Sequence, residues 1–266
     1  MTSVSVPTGI SVVIPAYSRL GPLLAAIESV HTKYPLHTEI IVVDDASPRD
    51  LISAIPVCNS SGVPIRGFRF IHNRGPQAAR NLGIRRARYS YISLLDSDDR
   101  FTLDKLERVR DILDHSDVDI VFHRVKGMDK YGNMAETWQR YLMPIVPFWF
   151  LLAFLNPIPT PALTFRRKLR LGPPGSRFCE DYGFLIRYCE PSTQITYINE
   201  ELAEVGRHQG AVGGISSARF RMRLGEFAVK TLMLKDHRFP LVRYTIGTLC
   251  AILRLLRDVL TLRYHS

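Results

Sequence analysis

Apolar residues fall in short runs separated by polar turns, and the period inside successive runs changes. Ile10-Ser11-Val12-Val13-Ile14 is β-branched and stops at Pro15, as a strand does. Leu20, Leu23, Leu24, Ile27 and Val30 then recur at helical spacing, which predicts a helix from Leu20 to Tyr34. Glu39 to Val43 reads as a second strand. Ser47-Pro48 after it reads as a helix entry, with the hydroxyl at the N-cap and proline in the first turn. Phe68 to His72 predicts a third strand, Gly75-Pro76 to Ala87 a helix, and Tyr89 to Leu95 a fourth strand. Leu103 to His115 continues as helix, Asp119 to Val125 as strand, and Met128 to Arg140 as loop or hairpin. Strands and helices alternating in this way predict an α/β fold with a mostly parallel central sheet and flanking helices.

The pattern then becomes less regular. Tyr141 to Phe165 carries no charge but five prolines, which excludes one long helix and leaves buried loops that partly line an apolar groove. Cys179-Glu180-Asp181-Tyr182 opens a helix with Phe184, Leu185 and Tyr188 on its apolar face. Gln194 to Ile198 is a strand, and the short run Leu202 to Val205 leads into Gly206-Arg207-His208-Gln209-Gly210. From Ser216 the chain turns amphipathic, with Phe220, Leu224, Phe227 and Leu234 on one helical face and Arg219, Arg223, Glu226 and Lys230 on another. The expected division is therefore a main domain over residues 1–215 and C-terminal amphipathic helices over 216–266.

Charge changes this picture only at the end of the chain. The net charge of the 266 residues is +10, and +7 of it lies between Arg219 and Ser266, where eight Arg and two Lys face three acids. Basic residues beside a large apolar surface suit a helix lying on an anionic membrane surface, or else helices packed on the domain or on a second subunit. They do not form the groove that nucleic acid requires, so no nucleic-acid partner is expected. Four scattered cysteines without C-x-x-C spacing suit a reducing compartment. The N-terminus has no basic leader, and the longest run without a polar side chain, Tyr141 to Leu155, is 15 residues, short of the ~18–20 that a membrane span needs. A cytoplasmic protein, peripheral on the inner face of the plasma membrane, is the expectation.

The candidate chemistry sits where strands end. Pro15-Ala16-Tyr17, Asp44-Asp45, His72-Asn73-Arg74-Gly75 and Asp96-Ser97-Asp98-Asp99 follow four successive strands, and in a parallel sheet these ends share one edge. Tyr17 either stacks on a base or lines the core rim. Asp44 or Asp45 either accepts from a base or ribose or caps a helix. Arg80 pairs with Asp96 or a phosphate, or is a solvated arginine. Three carboxylates within four residues repel one another, which suggests a hard cation such as Mg²⁺ or Mn²⁺. The other reading is a solvated turn in which Asp99 or Thr102 starts the next helix. Glu180 and Asp181 offer a general base, or simply oppose a helix dipole. His208, flanked by glycines, reaches a metal or phosphate, or is structural.

Together these residues resemble the family 2 glycosyltransferases, which have the GT-A-type nucleotide-sugar fold. The resemblance runs from Ile10 to about Gly214. It rests on Val12-Val13-Ile14-Pro15-Ala16-Tyr17, Val42-Val43-Asp44-Asp45-Ala46-Ser47, the run from Asn73 to Ile84, Leu94 to Asp99, and Cys179 to Tyr182, in that order. It implies inverting transfer of a sugar from a nucleotide-sugar donor. By that resemblance Tyr17 and Asp45 hold the base, usually uracil, within a donor site that also takes in Pro15, Asp44, Gly75, Arg80 and Ser97. Asp96 contacts the ribose or sugar, and Asp98, with Asp96, coordinates Mn²⁺ or Mg²⁺ on the diphosphate. Asp181 is the base that deprotonates the acceptor hydroxyl, supported by Glu180, and His208 is a further metal ligand or phosphate contact. The implied acceptor is a glycan or lipid-linked hydroxyl in bacterial polysaccharide, lipopolysaccharide or exopolysaccharide assembly. Ser18 stands where an asparagine often follows the tyrosine. The absence of a Gln-x-x-Arg-Trp motif implies addition of a single residue.

Two other readings compete. Haloacid dehalogenase-type phosphatases also use Asp-x-Asp after a strand, but there the motif usually ends the first strand, not the fourth. A non-catalytic membrane-associated scaffold would keep the fold without needing both acidic clusters. A dinucleotide-dependent oxidoreductase is disfavoured, since no G-x-G-x-x-G follows the first strand.

Overall fold

The computed structural model describes residues 7–128, 134, 136–138, 141, 148–152, 156–167, 179–190, 192–206, 224–231, 245, 248–249 and 251–253. Its centre is an eight-stranded sheet. β1 (Ile10–Ala16), β2 (Thr38–Asp44), β3 (Ile65–Arg69) and β4 (Tyr91–Leu94) form one half; β5 (Arg100–Phe101), β6 (Ile120–Lys126), β7 (Thr164–Arg166) and β8 (Ile195–Glu204) form the other. The spatial order is β3-β2-β1-β4-β7-β6-β8-β5. β1 pairs in parallel with β2 and β4, and β2 with β3. β7 runs antiparallel between β4 and β6, and β8 is parallel to β6, so only β7 and β5 oppose the other strands. The expected mostly parallel sheet is what forms.

The first half follows from its sequence. β1 and β2 are buried along their whole length, as continuous β-branched runs covered on both faces should be. α1 (Leu20–Glu28) buries Leu23, Ala26 and Ile27. It ends six residues before the expected Tyr34 because the Ser29 hydroxyl turns back to the Ala26 carbonyl (2.7 Å), an alternative to continuing the helical ladder. α2 (Pro76–Arg86) starts as expected, with Gly75 before it at φ +85. α3 (Lys105–Asp114) starts after Asp104, with neither Asp99 nor Thr102 at its N-cap.

Three expectations are corrected. No α-helix follows Ser47-Pro48; only a 3₁₀ turn, Ile52–Ala54, forms there. The Ser47 hydroxyl donates to Asp44 Oδ1 (2.5 Å) and does not cap a helix. β3 spans Ile65–Arg69 and not Phe68–His72. It pairs residue for residue with Ile40–Asp44, so its ladder stops where β2 stops, although the Phe68/Phe70 alternation runs on. The proline-rich run is not all loop: Thr160–Ala162 is a 3₁₀ turn and β7 enters the middle of the sheet.

Behind β4 lies a fully buried lysine. Lys105 donates to the hydroxyls of Ser93 on β4 and Thr164 on β7 (2.8 Å for Thr164) and lies 4.2 Å from the centre of the Phe101 ring on β5. Burial holds its pKa well below the usual lysine value. The contact fastens β4, β5 and β7 beneath the acidic loop that leaves β4.

The C-terminal region departs from its expected amphipathicity. Residues 224–231 are helical, but Glu226 and Lys230 are buried and paired at 2.9 Å while Leu224 is exposed. The i, i+4 spacing lets the two charges neutralise each other, and Val229 joins the same hydrophobic cluster as the sheet. Among the described residues no helix is long and apolar enough to cross a membrane.

Candidate active site

The carboxyl ends of β3, β2, β1 and β4 stand side by side, as the parallel order requires. The loops leaving them are stitched together. Asp45 N–H donates to the Ala16 carbonyl (2.9 Å), and the Asp45 carboxylate receives the backbone N–H groups of Arg74 (2.7 Å) and Gly75 (2.8 Å). The Asn73 amide donates to the Asp45 carbonyl (3.1 Å). Ser18 N–H donates to the Ser47 hydroxyl (2.7 Å), whose own proton goes to Asp44. Tyr17 projects from this edge, half exposed.

Asp44 and Pro15 are both buried. Asp44 is fully buried; besides Ser47 it accepts from Leu51 N–H (3.4 Å) and pairs with Arg69 at 3.2 Å. Pro15 is buried within β1, opposite Val43. Both shape the loop that presents Asp45 and Tyr17.

Each of the three clustered carboxylates has its own answer to the repulsion. Asp96 pairs with Arg80 at 2.6 Å, and that guanidinium is buried, so it is not the solvated arginine of the alternative reading. Asp98 pairs with Arg19 at 3.0 Å, both partly exposed. Asp99 is buried, and its pKa is pushed up to about 8 by burial and then by the Asp96 charge, with Gly206 N–H (3.1 Å) opposing. A cation is therefore not needed merely to keep the loop folded. Of the expected metal ligands, Asp96 and Asp98 lie among the described residues and offer carboxylate oxygens, while no three acidic, His or Cys groups there could hold a metal on their own. Carboxylate oxygens are the donor type that Mg²⁺ and Mn²⁺ take, with phosphate and water completing the shell.

Gly206 explains how the far end of β8 meets this loop. β5 follows the triplet directly and pairs with the end of β8, Arg100 with Glu204. A Cβ on Gly206 would lie 1.7 Å from the Asp98 carbonyl oxygen, so only glycine permits this approach. His208, two residues on, lies outside the described residues.

The second acidic cluster arrives on the helix Glu180–Tyr188. Asp181 borders a small, mostly apolar cavity of about 10 Å³, room for about one water, shared with Gln77, Arg80, Ile158, Thr160 and Phe184. Its carboxylate accepts from Tyr182 N–H (2.8 Å) and from the Asn156 amide (2.7 Å). Burial raises its pKa, with the Arg80 charge the largest opposing influence and the Asp96 charge adding to the rise. Arg80 thus lies within electrostatic reach of both acidic clusters.

Among the described residues three non-glycines adopt left-handed backbone: Ser18 (φ 64), Ala46 (φ 60) and Cys179 (φ 58). Each lies within two residues of Tyr17, Asp45 or Asp181. Such strain collects where a site over-determines the chain. It also accounts for the asparagine that often stands in place of Ser18, since asparagine tolerates this region best after glycine.

The comparisons with known proteins agree with this architecture. Residues 11–187 match the sequence profile of Glycosyl transferase family 2. The chain belongs to that family. An uncharacterized glycosyltransferase of Rickettsia felis is 42% identical over 102 residues, which are 38% of this chain and 16% of the relative. The succinoglycan biosynthesis protein ExoO of Rhizobium meliloti is 30% identical over 150 residues, 55% of this chain and 42% of the relative. The chain thus spans about a sixth of the first and under half of the second. Two solved structures share the fold. S. aureus TarS 1-349 in complex with UDP-GlcNAc has a TM-score of 0.63 at 16% identity, over 85% of this chain and 67% of that one. The Pyrobaculum calidifontis mannosyltransferase PcManGT, in complex with GDP-Man and Mn²⁺, has a TM-score of 0.66 at 14% identity, over 92% and 69%. The family 2, GT-A-like reading of the sequence holds.

Sequence reasoning missed three contributors. Arg19 gave no signal beyond its position after Tyr17. Ser47 was noted, but as a helix cap. Asn156 had a legible signal, a lone amide in a 25-residue uncharged run.

Proposed function

We propose that this protein is an inverting glycosyltransferase that moves a single sugar from a nucleotide-sugar, a UDP-sugar in the first instance, to an acceptor hydroxyl in bacterial polysaccharide, lipopolysaccharide or exopolysaccharide assembly. The observation that carries this is Arg80, buried between the strand-end acid Asp96 and the helix acid Asp181 in a chain of this family. Displacement at a sugar carbon needs charge stabilisation on the leaving diphosphate and a base on the opposite face. Tyr17 and Asp45, with Gly75, Arg80, Asp96 and Ser97, form the donor wall. Asp181 takes the acceptor proton, with Glu180 beside it in sequence. Gln77 gives its amide nitrogen to Asn81 (2.9 Å) and keeps a buried oxygen without a partner among the described residues, an acceptor suited to a sugar hydroxyl or amide.

Asp98 and Asp96, with His208 as a further ligand, would hold the Mn²⁺ or Mg²⁺, which when bound supplies positive charge to the diphosphate. The Mn²⁺ in PcManGT and the UDP-sugar in TarS support this assignment, as ExoO supports the polysaccharide setting. The basic C-terminal segment is proposed to rest on the anionic inner membrane surface, near a lipid-linked acceptor. The test is a thermal-shift panel of UDP-, GDP- and dTDP-sugars with and without Mn²⁺. A binding donor raises the melting temperature by mass action; no shift with any donor, with metal present, would overturn the reading.

A further inference from the structure

We propose that Asn156 is a positioning residue for Asp181, its side-chain amide setting the plane of the carboxylate that faces the acceptor. The inference rests on the proposed role of Asp181 as base. It gives a function to the proline-rich uncharged segment, which otherwise reads as wall.

The geometry is fixed at both ends of the amide. Asn156 Nδ2 donates to Asp181 Oδ2 at 2.7 Å, while its Oδ1 accepts from Ile158 N–H at 3.3 Å. The opposite amide orientation would set oxygen against carboxylate and nitrogen against an N–H donor, so the hydrogen-bond pattern selects one orientation. Pro157 and Pro159 stiffen the backbone on either side of Ile158, and a residue before proline is held extended. Asp181 Oδ1 in turn accepts from Tyr182 N–H. One N–H on each oxygen fixes the plane, and each oxygen keeps a lone pair for an incoming proton. In the transfer, the acceptor O–H proton passes to Asp181 as the acceptor oxygen bonds to the anomeric carbon. The bond from that carbon to the diphosphate oxygen breaks, and its electron pair leaves with the nucleotide.

A donor to the charged carboxylate also opposes the effect of burial. The charged groups acting on Asp181 are the Arg80 guanidinium, which lowers its proton affinity, and the Asp96 carboxylate, which raises it; the Asn156 amide acts with Arg80. Removing that amide leaves Asp181 misoriented and harder to ionise.

The experiment compares Asn156→Leu and Asn156→Asp, reading donor affinity, kcat and the pH dependence of kcat in the full chain. Asn156→Leu is expected to lower kcat roughly ten- to a hundredfold, to leave the donor Kd within about twofold, and to move the acidic limb of the kcat profile to higher pH. Asn156→Asp, close in shape but a like charge, is expected to move that limb further and provides the readout if the leucine variant fails to fold. An acidic limb unmoved in the folded variants, or a loss confined to donor affinity, overturns the inference. Asp181→Asn assayed alongside separates the two failures: full turnover there removes the base itself, whereas an inactive Asp181→Asn beside unmoved Asn156 profiles removes only the positioning role.

Discussion

The strand-end wall and the helix wall are built in opposite ways. The wall at the carboxyl ends of the first four strands is made of consecutive polar loops, tied by hydrogen bonds from Asp45 N–H to the Ala16 carbonyl and from Gly75 N–H to the Asp45 carboxylate. The helix wall is made of Glu180–Tyr188 and residues 156–163 beside it, and its decisive contact, Asn156 to Asp181, joins residues 25 apart. The first wall is over-determined by many weak ties. In the second, one side-chain amide holds the acid itself, so a substitution at either partner should have a larger and more selective effect.

The largest expected effect follows from that contrast. Asp181→Asn should lower turnover about 10²–10⁴-fold, the usual worth of general base catalysis, while the donor-induced thermal shift persists. A loss of donor binding instead would merge the two walls into one. Next, Gly206→Ala should disturb the strand-end wall from outside. Its Cβ falls 1.7 Å from a backbone oxygen that cannot swing aside, so the cost should be about 1–3 kcal/mol by overpacking, read by chemical denaturation.

A third prediction concerns the sheet joining the walls. His123 is buried, and its pKa is pushed down to about 3 by burial and then by Lys105. The unfolded chain therefore takes up a proton, with a pKa near 6.5, before the folded one does. Stability is full above that value and falls as pH drops toward about 3. His123→Leu should flatten this fall in a pH series of urea melts; an unchanged slope would place the acid sensitivity elsewhere. The smallest effect is expected at Ser18, where the left-handed backbone favours asparagine. Ser18→Asn should raise stability by up to ~1 kcal/mol, the lower end of the penalty for that conformation, seen as a higher melting temperature with donor affinity preserved.

The same contrast decides what was legible in the sequence. β1, β2, α2 and the acids after β4 are local patterns: a β-branched run, a turn, then a polar cluster. Because the sheet is parallel and its first strands neighbour one another, their order alone placed Tyr17, Asp45, Gly75 and Asp96 together. β7 was not legible, since three residues after a string of prolines carry no periodicity and are made a strand by β4 and β6 on either side. The helix expected after Ser47 failed for a related reason: the cap signal was real, but a buried carboxylate claimed the hydroxyl. At 224–231, periodicity located the helix but misassigned its faces, because a neutralised Glu226–Lys230 pair can be buried where isolated charges cannot.

Arg80 has a consequence for how variants of this protein must be read. One guanidinium is the counter-charge common to Asp96 and Asp181, so on the proposed reading exchanging it for a neutral residue is expected to alter donor capture and proton uptake in a single stroke. Effects at Arg80 and Asp181 should then fail to add, and the size of that shortfall, measured in a four-variant cycle, is a direct gauge of how strongly the two halves of the reaction sense each other.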